Sequence, residues 1–191
     1  IQRTFTDKNT KLVKSHLEQE SDMIQSSRNL YAKIGADYFA SKKTTLGVVV
    51  NGFYNPSTFQ NTSYVNIFDA QKVLDSKTLG SADNSSTWRN VSANFNFRHV
   101  IDTTGKELTA DVDYVRYAVS NTQSLINSYF TNTGIPSGKP DTLYGMLPQN
   151  IHIYSGKIDY VHPLKKGAKF EAGIKTSFVK TDNDARYDYF A

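Results

Sequence analysis

The sequence predicts an all-β chain: an antiparallel, up-and-down meander of about six long strands that forms a segment of a transmembrane β-barrel. Three observations carry this reading. Apolar and polar residues alternate with a period of two over six stretches, the mark of strands with distinct faces. The face opposite the apolar one carries ionisable residues within strand interiors, namely Asp37, Arg98, Asp111, Asp113, Lys157, Asp159, Glu171 and Lys175. These would be very costly in a dry core and cost little beside a water-filled lumen, so the apolar face must meet lipid or a second sheet. Finally, short connections alternate with two long ones, as in barrels with short periplasmic turns and long extracellular loops.

The first hairpin covers residues 30–54. Leu30, Ala32, Ile34, Ala36 and Tyr38 share one face, and after a turn at Ala40–Thr44 they are matched by Leu46, Val48, Val50, Gly52 and Tyr54. The second covers residues 88–117. Val91, Ala93, Phe95 and Phe97 oppose Ser92, Asn94, Asn96 and Arg98, and a turn through Asp102-Thr103-Thr104-Gly105 leads to Leu108, Ala110, Val112 and Tyr114. The third covers residues 151–178, with His152, Tyr154, Gly156, Ile158 and Tyr160 followed across Pro163–Gly167 by Phe170, Ala172, Ile174, Thr176 and Phe178. Between the hairpins, residues 55–87 and 118–150 are expected as long loops, with Tyr64–Phe68 and Ser124–Phe130 as strand material projecting beyond the membrane. Asp7–Arg28 is polar. Val13, Leu17 and Ile24 allow a weak helical stripe, but without a cap or sustained period an extended strand leading into Leu30 is favoured.

Composition narrows the function classes. No stretch approaches the ~20 apolar residues of a membrane-spanning helix, and a mean hydropathy of −0.50 suits strands that are apolar on one face only. Twelve Tyr and eleven Phe favour strands and boundary positions between apolar medium and water. There is no Cys, hence no thiolate nucleophile, disulfide or Cys-based metal site. The net charge of +4 is mixed along the chain, and the adjacent basic pairs Lys42-Lys43 and Lys165-Lys166 fall in turns, so nucleic acid is not an expected partner. The chain opens at Ile1 with no signal peptide visible and ends at Ala191 in mid-pattern, so both ends are expected to be cuts through a longer protein.

The run from Val161 to Lys175, with Lys180-Thr181-Asp182-Asn183-Asp184, Leu108–Tyr114 and Leu147-Pro148-Gln149-Asn150-Ile151, resembles the outer-membrane β-barrel family of Bacteroidetes-type bacteria. These are the barrel portions of TonB-dependent-receptor-like proteins, and the resemblance covers most of the chain from Leu30 onward. It implies a large barrel in the outer membrane of a Gram-negative bacterium, preceded by a plug domain and engaged in nutrient binding or uptake. The partners it implies are outer-membrane lipid, the plug domain, the remaining barrel strands and a small nutrient ligand. A soluble β-sandwich or open-barrel binding module, with carbohydrate as a candidate ligand, is the competing reading. It predicts a closed core in which Val48, Val50, Phe95, Phe97, Ile158 and Ile174 face one another.

No catalytic, cofactor or metal site is expected. His16, His99, His152 and His162 lack ligand spacing. Asp111 and Asp113, i and i+2 on one strand face and roughly 7 Å apart, are a carboxylate pair of the kind used in glycoside hydrolysis; a solvated lumen face with Lys157, Lys175 or Arg98 as counter-charges is the favoured reading. Asp182-Asn183-Asp184 lacks the Gly and Glu of a calcium loop. The candidate ligand-binding residues are the aromatics in or beside the expected loops: Tyr54, Phe59, Tyr64, Phe68, Tyr129, Phe130 and Tyr144. They suit either stacking on a sugar or other flat ligand at the outer mouth, or packing among loops or in an aromatic girdle at the membrane boundary.

Overall fold

A computed structural model describes residues 1–191. Its strands are β1 (Gln2–Thr6), β2 (Val13–Ser27), β3 (Leu30–Ser41), β4 (Thr44–Asp69), β5 (Leu74–Val100), β6 (Glu107–Thr131), β7 (Asp141–Met146), β8 (Gln149–Pro163), β9 (Lys169–Asn183) and β10 (Arg186–Phe190). All pairings are antiparallel and belong to one sheet. β2 and β3 pair in turn with the two halves of β4, so they act as one strand interrupted at Arg28-Asn29. In the same way β7 with β8, and β9 with β10, are continuous strands interrupted at Leu147-Pro148 and Asp184-Ala185. The result is an all-β up-and-down meander, as the alternation predicts.

The expected long loops at residues 55–87 and 118–150 are instead strand and turn. β4 runs on to Asp69, residues 70–73 turn, and β5 begins at Leu74; β6 runs to Thr131 and the chain returns through residues 132–140 into β7. Alternation disappears there because each face mixes polar residues with rings and aliphatics, such as Phe59 and Leu125 on one and Tyr64 and Ile126 on the other, while the Thr, Val, Tyr and Phe content still favours extended backbone. Asp and Thr side chains close the tips. Asp69 accepts from the amides of Gln71 (2.9 Å) and Val73 (2.8 Å), and Asp7 from those of Asn9 (2.9 Å) and Thr10 (3.0 Å). Thr131 Oγ1 accepts from the Ile135 amide at 3.1 Å. The polar Asp7–Arg28 stretch is mostly β2, with no helix.

The register lines up the apolar face. Ile34, Val50, Ala93, Tyr114, Tyr154 and Phe178 form one row across six strands. Ala36, Val48, Phe95, Val112, Gly156 and Thr176 form the next, followed by Tyr38, Leu46, Phe97, Ala110, Ile158 and Ile174. Rings border this band. Tyr114 and Tyr154 lie 5.1 Å apart at its upper edge, and Phe97 stacks on His99 at its lower edge. Tyr154 to His162 is nine residues of one strand, matching the ~9–11 that a tilted membrane-crossing strand needs.

No second layer covers that band. The only residues shielded from solvent are Gly47, Ser63 and Gly145, and none belongs to a hydrophobic core. This overturns the sandwich alternative: Val48, Val50, Phe95, Phe97, Ile158 and Ile174 lie side by side on one face of one sheet, with Ile174 72% exposed. A sheet buries an apolar face or presents it to lipid, and here protein supplies no cover.

β4, β5 and β6 are 26, 27 and 25 residues long. A membrane-crossing strand needs ~9–11 residues. The remaining ~15 residues of each continue the sheet for roughly 50 Å beyond the apolar band.

Candidate functional site

Opposite the apolar band, the polar face is knitted by side-chain hydrogen bonds. Asp113 accepts from Asn94 Nδ2 at 2.7 Å and from Ser155 Oγ at 3.0 Å, linking β5, β6 and β8. Asn96 Nδ2 donates to Asn94 Oδ1 at 3.3 Å, and Ser92 Oγ donates to Asn51 Oδ1. Arg98 pairs with Glu107 at 2.6 Å and Lys157 with Asp159 at 2.5 Å, while Asp111 stands across from Lys157 in register. The two carboxylates of the Asp111/Asp113 pair thus sit among amides, a hydroxyl and a cation of the solvated face. Gly47 is packed beneath this network, where a Cβ would stand 2.5 Å from Asn96 Oδ1 and 2.6 Å from Asp37 Oδ1. The absence of a side chain there lets two polar groups close over the strand.

Above the band the two faces exchange character without any break in register. Tyr114 and Tyr154 are paired on the apolar face, and one residue on, Val115 and Ile153 are paired on the opposite face. From there the formerly apolar face becomes charged and hydroxyl-rich, through Arg116, His152, Arg89, Thr122, Ser85 and Asp83. The inner face instead carries Phe53, Trp88, Tyr117, Val119 and Ile151, and farther up Phe59, Asn61, Asn121, Gln123, Leu125 and Tyr129. Leaving lipid for water explains the outer change. The inner change is what marks this wall as a candidate binding surface.

The seven aromatics singled out from sequence do not form one cluster, and they lie in strands instead of loops. Phe59 and Tyr129 are on the inner face; Tyr54, Tyr64, Phe68, Phe130 and Tyr144 are on the outer face. Tyr54 sits at the upper edge of the apolar band, where Arg89 lies over its ring at 5.9 Å. Trp88, Phe53 and Tyr117 were missed as site residues. The available signal was the phase change in the alternation, two adjacent apolar residues at Tyr114-Val115 and at Ile153-Tyr154.

The histidines are dispersed, each hydrogen bonded to a hydroxyl. His16 meets Thr4 at 3.1 Å, His99 meets Thr44 at 2.8 Å, His152 meets Tyr114 at 3.0 Å and His162 meets Tyr160 at 2.9 Å. Near the upper tips, the Asp141 carboxylate accepts from the phenols of Tyr129 (2.6 Å) and Tyr189 (3.0 Å), which ties β6, β7 and β10 together. These hydrogen bonds, with burial and the charge of Asp141 adding to them, raise both phenols above the ordinary value of 10.0. A raised folded value means that the clasp's contribution is complete below about pH 10 and is lost as pH rises through the folded values. An absorbance titration of tyrosinate formation is expected to show two late phenols in the wild type. In Asp141→Asn both are expected back in the ordinary range; unchanged titration would remove the clasp from the account.

Among proteins of established character, no match to this chain was found. The model of the outer membrane protein beta-barrel family matches residues 99–191, which run from the end of β5 through β10. This agrees with the single-layer sheet, the lipid-scaled apolar band and its aromatic edges, and it places the protein in the outer membrane of a Gram-negative bacterium. Over residues 99–191, this chain is similar to the outer membrane protein beta-barrel family.

Proposed function

We propose that the chain is part of the wall of an outer-membrane receptor or transporter that binds or takes up a nutrient, without catalysis. The observation that supports this best is the polar inner face through the membrane band, with Asp37, Asn94, Asn96, Asp113 and Lys157 opposite residues built for lipid. A structural barrel with a packed interior has no use for that set, whereas a water-filled passage does. The chain's other partners on this reading are the further strands of its barrel, which would pair at the open edges of β3 and β9, and a plug domain within the lumen. Bacteroidetes-type, TonB-energised uptake is the form implied by the resemblance, and nucleic acid has no place in it. The turns at residues 42–43, 101–106 and 164–168 face the periplasm, and the tips at residues 7–12, 70–73 and 132–140 face the exterior.

The test is deletion of the gene followed by growth and radiolabelled uptake on single nutrients. Selective loss of one nutrient, restored by the intact gene, is the expected result. Unchanged uptake of every nutrient tested, with the protein still recovered in the outer membrane of the parent strain, would point to an architectural role.

A further inference from the structure

We propose that the inner wall above the membrane band, from the row of Phe53 up to that of Tyr129, binds a neutral, polyhydroxylated ligand, an oligosaccharide. This rests on the receptor reading and adds the ligand class to it.

Charge is the first argument. Across that span of the inner face, Asp141 is the only charged side chain, and both phenols beside it already donate to its carboxylate. The outer face of the same strands carries Glu20, Asp22, Asp83 and Arg89, and the inner face lower down carries Asp37, Asp111 and Lys157. Neutrality is thus local to this wall and is not a property of the chain as a whole. A charged ligand drawn from water onto it would lose hydration without gaining an opposite charge.

The chemistry that remains is flat rings set among amides. Trp88, the chain's single tryptophan, is 46% exposed, and its row places it between Asn55 and Val119. A pyranose offers the same division, an apolar C–H face for a ring and hydroxyl edges for amides. Two amide oxygens on the wall, Asn61 Oδ1 and Asn121 Oδ1, are shielded and lack a hydrogen-bond partner. Both residues are part-exposed, so a turn of either amide would bring its unpaired oxygen to a ligand hydroxyl, and a shielded acceptor left unpaired costs free energy. Beside them lies a depression of about 210 Å³ lined by Ala82, Asn84, Gln123, Leu143 and Gly145, with the Tyr187 ring against Gly145. That is smaller than the ~300–1,000 Å³ of a complete ligand pocket, so it suits one ring of an extended chain. A wholly apolar ligand would leave these amides unpaired.

The test uses the intact outer-membrane protein in detergent, applied to an array that presents neutral oligosaccharides beside uronic-acid and sulfated ones. Retention of neutral members only is expected. Trp88→Ala and Asn121→Ala are each expected to weaken that binding about tenfold or more, while the outer-face variant Asp83→Ala keeps it. Resistance of the folded form to heating in detergent gels confirms that each variant is assembled. Retention of charged glycans to the same degree, no retention of any neutral glycan, or binding unchanged in folded Trp88→Ala would each overturn the proposal. Uptake in the deletion strain separates the two levels. Selective loss of an anionic or wholly apolar nutrient would sink the ligand class and leave the receptor reading standing; no selective loss would sink both.

Discussion

Val112→Arg is expected to destabilise the membrane-inserted protein by roughly 2–4 kcal/mol, the cost of a cation at the lipid-facing midplane of a barrel. Val112 is 59% exposed and lies in the central apolar row between Phe95 and Gly156. No protein atom waits there to pair the guanidinium, so the penalty reports lipid directly. Thr122→Arg is the control. It lies on the same face of the same strand, ten residues higher by number, where the neighbours are Ser85 and Met146. An exposed substitution in water is expected to stay within about 0.5 kcal/mol. Urea unfolding from lipid vesicles measures both. Equal costs at the two positions would mean that the apolar band does not face lipid.

The largest all-or-none effect is expected in topology. The chain has no cysteine, so each introduced thiol is unique within it. Lys72→Cys and Thr133→Cys, at the tips beyond β4 and β6, are expected to react with a membrane-impermeant maleimide on intact cells. Lys42→Cys and Thr104→Cys, in the turns beside the apolar band, are expected to react only after the outer membrane is opened. The band is adjacent to the lower turns, and the strands continue roughly 50 Å past it on the other side. The reverse pattern would invert the sidedness assigned above. Labelling of all four sites on intact cells would place the whole sheet outside the membrane.

These two tests divide along what was readable from sequence. Alternation in Leu46–Tyr54, Trp88–His99 and Ala168–Phe178 identified membrane strands because lipid on one side and water on the other impose opposite demands on successive residues. Once both faces are wet that contrast weakens, which is why residues 55–63 and 118–123 read as loop although they are strand, whereas Tyr64–Phe68 and Ser124–Phe130 still read as strand material. The Asp-centred tips at residues 7–12 and 69–73 were also obscured, because Asp, Asn and Lys are abundant in the polar strands around them. Among the candidate ligand residues, aromatic type alone could not sort Phe59 and Tyr129 from Tyr54, Tyr64, Phe68, Phe130 and Tyr144. That sorting needs an unbroken register from the membrane band upward, since one bulge would have reversed every assignment above it.

The sequence by itself determined that this protein is all-β, that its strands have a lipid-compatible face and a solvated one, and that it lacks the means for thiol or helical-membrane chemistry. Periodicity and composition are local properties, and local properties survive in a string of residues. Only the tertiary structure decided that a single sheet leaves the apolar face without protein cover, and that strands run far beyond the membrane. It also decided that Trp88, Asn61 and Asn121 share a nearly uncharged inner wall. Those facts depend on which residues stand opposite one another across strands, and pairing between distant segments is set by the register of the whole sheet, not by any one stretch of chain.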